Sequence, residues 1–240
     1  MHAIELPYKQ NAMSKKNLDE HSTGFETVEH ALSRTEQYIE ENKKSLTIIV
    51  VVIAIVVGGY LLYSKVLLGP KEIEAQSQIF RAEQYFEQDS FRLALEGDGD
   101  AFGFIDVIDE YRITKTANLA HYYAGISYLN LGEFEDAIKH LKQFDSGDKL
   151  VSVVALGVLG DAYVEIGDYN EAISFFEKAA NKNKNELTSA IYLKKAGLAY
   201  EAVEDYSKAV SAYEKILKKY PRSEEAREIE KYIQAAKMKI

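Results

Sequence analysis

The chain has 240 residues, 29 basic against 38 acidic side chains, a net charge of −9 and no cysteine. That composition excludes a disulfide frame, a thiolate metal site and a cysteine nucleophile, and it offers no basic face for nucleic acid. Residues 1–45 carry 6 basic and 8 acidic side chains, leaving 23 and 30 beyond, so both flanks of the apolar run described below are negative.

Residues 1–22 are polar, without hydrophobic periodicity, and contain Pro7, which predicts a disordered tail. Met13, followed by Ser14-Lys15-Lys16, is an alternative start to Met1. Thr23-Gly24-Phe25-Glu26 has the spacing of a capping box, and Phe25, Val28, Leu32 and Ile39 then recur near helical spacing. This predicts an amphipathic juxtamembrane helix over 23–45, lying on the membrane surface or docking a partner.

Leu46 to Tyr63 holds eighteen residues without a charge, between Lys43-Lys44 and Lys65. With Lys65 snorkelling, Val66–Leu68 extend the run to the roughly 20 residues that cross a bilayer as a helix. A transmembrane helix over 46–68 is expected. The run lies too far from the start for a secretory signal and no A-x-A site follows it, so it reads as an uncleaved anchor. Arg34, Lys43 and Lys44 on one side nearly balance Lys65, Lys71 and Arg81 on the other. The adjacent Lys43-Lys44 pair tips the bias toward a cytoplasmic N-terminus.

Residues 71–240 predict one helical domain. Lys71–Leu95 reads as one long helix with Ile73, Ile79, Ala82, Phe86 and Leu93 recurring. Asp100–Tyr111 reads as a second, with Phe104, Ile105, Ile108 and Tyr111 inward. Together they form a divergent first pair, 71–112. Between them, Asp98, Asp100, Gly103, Ile105 and Asp109 approximate a calcium loop, but Phe102 stands at the third ligand and Asp109 replaces the final Glu. A turn with Asp98 or Asp100 capping the next helix accounts for the same residues. Gly97, Gly99 and Gly103 miss the phosphate-cradle spacing by one residue.

Three segments then align: AGISYLNLGEFEDAIKHL from Ala124, LGDAYVEIGDYNEAISFF from Leu159 and AGLAYEAVEDYSKAVSAY from Ala196. Gly125, Gly160 and Gly197 correspond, as do Tyr128, Tyr163 and Tyr200, and Ala137, Ala172 and Ala209. Each unit predicts two antiparallel helices broken at Gly132-Glu133, Gly167-Asp168 or Glu204-Asp205, with small residues permitting close approach. Repeats are placed at 118–152, 153–189 and 190–223, followed by a capping helix at 223–237 with Ser223 as its N-cap. The pattern resembles the tetratricopeptide repeat, and Pro221 matches the proline that closes such a unit. Phe144 and Ile216 depart from it where a small residue is usual, and Glu204 replaces the turn glycine. The fold class expected is all-α: one transmembrane helix followed by a tetratricopeptide-like α-solenoid.

No catalytic constellation is visible: there is no nucleophile elbow and no P-loop. Of His2, His21, His30, His121 and His140, none pairs with another at metal-ligand spacing, and His121 reads as a packing residue. Neither an enzyme, a cofactor nor a small-molecule substrate is expected. The resemblance implies a protein-binding groove lined by the first helices: Tyr122, Ile126, Leu129 and Asn130, then Asp161, Val164 and Glu165, then Lys194, Leu198 and Glu201. The Lys/Asn cluster with which some relatives clamp a C-terminal carboxylate is not reproduced, since Gly157 and Asp161 stand at two of its places.

The architecture and the GDGDAFGF segment are similar to the bacterial family of ancillary subunits of the SecYEG translocon, single-span proteins with a periplasmic repeat domain. That resemblance implies an inner-membrane scaffold, N-terminus cytoplasmic and repeats periplasmic. Its partners would be translocon subunits, a membrane-anchored chaperone or nascent secretory chains. The alternatives are a scaffold for envelope or cell-division assemblies and a cytoplasm-facing adaptor.

Overall fold

The computed structural model describes the backbone of residues 16–240 and the side chains of 38–240. The chain divides into two compact units at Tyr63/Ser64.

The first unit contains α1, Lys16–Leu62. It is already helical at Lys16, so Thr23 lies inside a helix rather than capping one, and residues 16–22 are helix where a disordered tail was expected. No proline lies between Pro7 and the end of this helix, and Gly24 costs only about 1 kcal/mol against a long helix. The expected tail over 1–15 lies outside the described residues, as do the side chains of Phe25, Val28 and Leu32. Further along, an 18-residue window reaches a mean hydropathy of 2.7 with none of it buried, making this helix long and apolar enough to cross a membrane. Thr47 Oγ1 donates to Lys43 O at 2.7 Å, so this hydroxyl near the entrance of the apolar run is satisfied within the helix. A π-helical turn, Tyr63–Leu68, follows α1.

The second unit opens with α2, Gly69–Glu87, which carries Pro70 in its first turn, where a missing N–H is harmless. Helices α3, Phe91–Glu96, and α4, Phe104–Glu110, come next. Three helical pairs succeed them: α5 Lys115–Asn130 with α6 Phe134–Gln143, α7 Lys149–Glu165 with α8 Tyr169–Lys182, and α9 Thr188–Ala202 with α10 Tyr206–Lys219. A 3-10 turn at Glu225–Arg227 and α11, Ile229–Lys237, close the chain. Among the described residues there is no strand.

The expected single helix over Lys71–Leu95 is two helices, because Asp89 adopts a left-handed φ of 55°. The Ser90 amide then donates 2.9 Å to Tyr85 O, ending α2. The same bond recurs in each repeat: Glu133 N to Tyr128 O, Asp168 N to Tyr163 O and Asp205 N to Tyr200 O, each 2.9 Å. Residues Ala82, Tyr85, Asp89, Phe91 and Ala94 therefore stand where Gly125, Tyr128, Gly132, Phe134 and Ala137 stand in the next unit. The first hairpin is α2–α3, not the pair read from sequence, and α4 is an insertion between it and α5. Within it Ala75, Ile79, Ala82, Ala94 and Leu95 are buried, whereas Ile73 and Leu93 are exposed. On α4 and just after it, Phe104, Val107, Ile108 and Tyr111 are buried and Ile105 only half-buried.

The glycine-rich segment between α3 and α4 is a turn in which the backbone meets itself. A Cβ on Gly103 would lie 2.2 Å from Leu95 O, and one on Gly97 2.2 Å from Ala101 O. Asp98 Oδ1 accepts from the amides of Asp100 and Ala101, and its Oδ2 accepts from Tyr85 Oη. Neither Asp98 nor Asp100 caps α4. That role falls to Asp106, which accepts from the Gly103 amide at 3.0 Å. The tyrosine hydroxyl and the two amides hold the Asp98 carboxyl below its usual pKa.

In the three aligned pairs, the glycines make room for a side chain sixteen residues on rather than for backbone. A Cβ at Gly125, Gly160 or Gly197 would fall 2.5 Å from Leu141 Cγ, 2.5 Å from Phe176 Cε1 or 2.1 Å from Tyr213 Cε1. Ala137, Ala172 and Ala209 are fully buried beside them. The C-terminal cap is broken into two pieces. Ser223 Oγ does accept from the Ala226 amide, but it starts the 3-10 turn, and α11 begins only at Ile229.

Candidate protein-interaction groove

Successive first helices α5, α7 and α9 carry the residues expected to line a groove. On α5, Tyr122 is half-buried, its ring 5.1 Å from that of Phe144 at the end of α6. An aromatic at 144, where a small residue is usual, is thereby explained: the two rings close the end of the hairpin. Ile126 and Leu129 are half-buried, and Leu129 packs against the repeat core. Asn130 is exposed, with its side-chain amide donating 2.8 Å to Ile126 O on its own helix.

Asp161 on α7 receives Lys195 Nζ from α9 on both carboxylate oxygens at 2.7 Å, with both side chains more than a third exposed. Such a pair contributes at most about 1 kcal/mol to stability but fixes the two side chains at the surface. Beside it lies a cleft of about 230 Å³ lined by Asp161, Val164, Tyr169, Phe176, Lys195, Leu198 and Ala199. Leu198 is 43% exposed there, an apolar side chain held at the opening. The cleft is mostly apolar with one ion pair at its edge, a combination that accepts an apolar side chain and orients a neighbouring polar group.

Of the ten expected groove residues, the structure brings Asp161, Val164 and Leu198 together at this cleft. Glu165 is exposed and outside its lining. Glu201 accepts from Tyr213 Oη at 2.7 Å, tying α9 to α10. Lys194 turns the other way, to Glu228, and lies 5.0 Å over the Tyr232 ring. Hydrogen bonds from Lys194 and then Lys231 hold the Glu228 carboxyl down to about 2, so this clasp between α9 and α11 stays ionised at neutral pH. The four α5 residues do not line the cleft.

Sequence reading missed Lys195, Tyr169 and Phe176. Phe176 had a signal, its place sixteen residues after Gly160, and Tyr169 is the aromatic of the Gly-x-aromatic turn. Lys195 had none, since a one-residue step on a helix turns the side chain by about 100°. Gly157, in the expected clamp position, instead receives the Tyr192 ring, whose Cε1 would lie 2.0 Å from a Cβ there. That position belongs to inter-repeat packing.

Family models described as tetratricopeptide repeat match residues 155–188, and also 119–145 and 193–223. No curated protein matches the chain in sequence. Among solved structures, the crystal structure of MamA protein superposes with a TM-score of 0.51 at 22% identity, covering 72% of this chain and 89% of that one. At that identity the likeness concerns the fold. The region from α5 to α10 is thus an array of tetratricopeptide repeats, an architecture of protein-binding scaffolds.

Proposed function

We propose that this chain is a membrane-anchored scaffold that recruits protein partners to the face of a bacterial inner membrane. Its N-terminus is cytoplasmic, its repeats are periplasmic, and its partners are translocon subunits, a membrane-anchored chaperone or emerging secretory chains. The observation that carries the reading is the conjunction of an unburied apolar helix with a repeat array bearing an open apolar cleft. Lys43-Lys44 and the resemblance to ancillary translocon subunits support the orientation. A tether confines the cleft to a thin layer beside the membrane, where effective concentrations near the millimolar range let contacts of about micromolar strength suffice. The charge-poor cleft fits that regime.

The test is photo-crosslinking in cells from positions 164 and 198, combined with an alkaline phosphatase fusion at the C-terminus. An active fusion and adducts with translocon subunits, chaperones or secretory chains are expected. A silent fusion overturns the orientation. Adducts only with cell-division or envelope-assembly proteins overturn the translocon assignment.

A further inference from the structure

His121 on α5 and His140 on α6 are separated by 19 residues in sequence, yet their Nδ1 atoms lie 3.1 Å apart across the hairpin. A hydrogen bond at that distance needs one ring to carry its proton on Nδ1 and the other to keep that lone pair free. The arrangement is braced. His140 is only 8% exposed, and the Tyr128 ring stacks on it at 5.3 Å. The pair borders a cavity of about 520 Å³. Four charged groups face it: Asp109 and Arg112 from the end of α4, and Asp136 and Lys139 from α6.

We propose that His121 and His140 form a two-imidazole site for a borderline divalent transition metal ion, Zn²⁺ first among them, clipping α5 to α6. The separation of the nitrogens is the first argument. Zinc–nitrogen bonds of roughly 2.0–2.1 Å place two ligands about 2.9 Å apart at a right angle and about 3.4 Å apart in a tetrahedron. The 3.1 Å found here lies between, so the ion enters with little movement of either ring. Ligand chemistry is the second, since neutral imidazole suits zinc, nickel and copper ions and not magnesium or calcium. In the contact as it stands, only one of the two Nδ1 atoms carries a proton, and the other already presents its lone pair. The single Nδ1 proton moves to Nε2 through solvent, a change of tautomer with no net release.

Among the described residues no cluster of three or more histidine or acidic side chains is placed to hold a metal. The remaining positions would therefore be filled by water from the cavity, and Asp109, paired with Arg112 at 3.1 Å, contributes charge rather than a bond. Such an open site exchanges its ion and binds at about micromolar strength or weaker, unlike a closed structural zinc centre.

The experiment is calorimetric titration of the full-length protein in detergent near neutral pH with Zn²⁺ alone, then with Mg²⁺ alone. One Zn²⁺ ion per chain, no Mg²⁺ uptake and a melting temperature raised by Zn²⁺ are expected. His121→Asn and His140→Gln should each weaken Zn²⁺ binding at least about tenfold, while the joint change His2→Gln, His21→Gln and His30→Gln leaves it intact. His121 is only half-buried, so its variant folds even if His140→Gln does not. Undiminished binding in folded His121→Asn, loss confined to the N-terminal triple variant, or no uptake at about millimolar Zn²⁺ would each overturn the site.

Discussion

Gly160 faces the ring of Phe176 so closely that a Cβ on the glycine would lie 2.5 Å from Cε1. One helix of the hairpin thus supplies a notch and the other the side chain that fills it, a ring again at Gly197 with Tyr213 and an aliphatic group at Gly125 with Leu141. Gly160→Leu should destabilise the repeat unit by about 3 kcal/mol or more, since overpacking a close-packed core costs 1–3 kcal/mol even for small insertions. Leu198→Ser, at an exposed position of the cleft, should stay within about 0.5 kcal/mol. Thermal melts of the full-length protein in detergent compare the two, and equal destabilisation would contradict the register described here.

Glu204 holds a φ of 60°, where the preceding units place Gly132 at 78° and Gly167 at 77°. The left-handed conformation costs a side-chain-bearing residue about 1–2 kcal/mol, part of which glycine gives back as unfolded-state entropy. Glu204→Gly should therefore stabilise by about 0.5–1 kcal/mol, and Gly167→Ala should destabilise by about 1 kcal/mol. Opposite signs in denaturant midpoints are the expected result. A loss of stability in Glu204→Gly would show that its side chain contributes more than its backbone strains.

The histidine pair makes stability pH-dependent in a defined window. Burial first, and the neighbouring His121 second, lower His140 from 6.5 to about 4. Between those values the unfolded chain binds the proton and the folded chain does not, so stability falls as pH drops through the window. Above 6.5 both states are neutral and the pair adds no slope. Metal-free melts across that range should show the decline. A double variant, His121→Asn with His140→Gln, should show a shallower one, and an unchanged slope would assign the acid sensitivity elsewhere.

The cleft makes its own prediction. Leu198→Arg and Val164→Asp should each reduce partner crosslinking from the α7–α9 face by about tenfold, a loss of about 1.4 kcal/mol in a micromolar contact. Leu198→Arg leaves the fold intact because that residue is exposed, whereas Val164 packs against the repeat core, so a thermal melt of Val164→Asp accompanies its crosslinking. Lys194→Ala is the contrasting variant. It should lower the melting temperature by releasing Glu228, yet leave crosslinking unchanged.

Much of the fold is written in local spacing. The apolar run after Lys44, the all-α class and the three aligned units rest on residues whose neighbours lie within a turn or two, so composition and period suffice to read them. A fourth instance of the repeat pattern, Ala82 to Ala94, was present but masked. Asp89 replaces the turn glycine, and the inserted α4 stretches the next interval beyond the regular period. What spacing does not encode is the rotation of one helix against another. That rotation decides that Lys195 rather than Lys194 meets Asp161, that Gly157 receives the ring of Tyr192, and that His121 and His140 touch across a hairpin. Each of these contacts joins residues on different helices, where a one-residue step swings a side chain through about 100°, and packing of the whole array selects which step is taken.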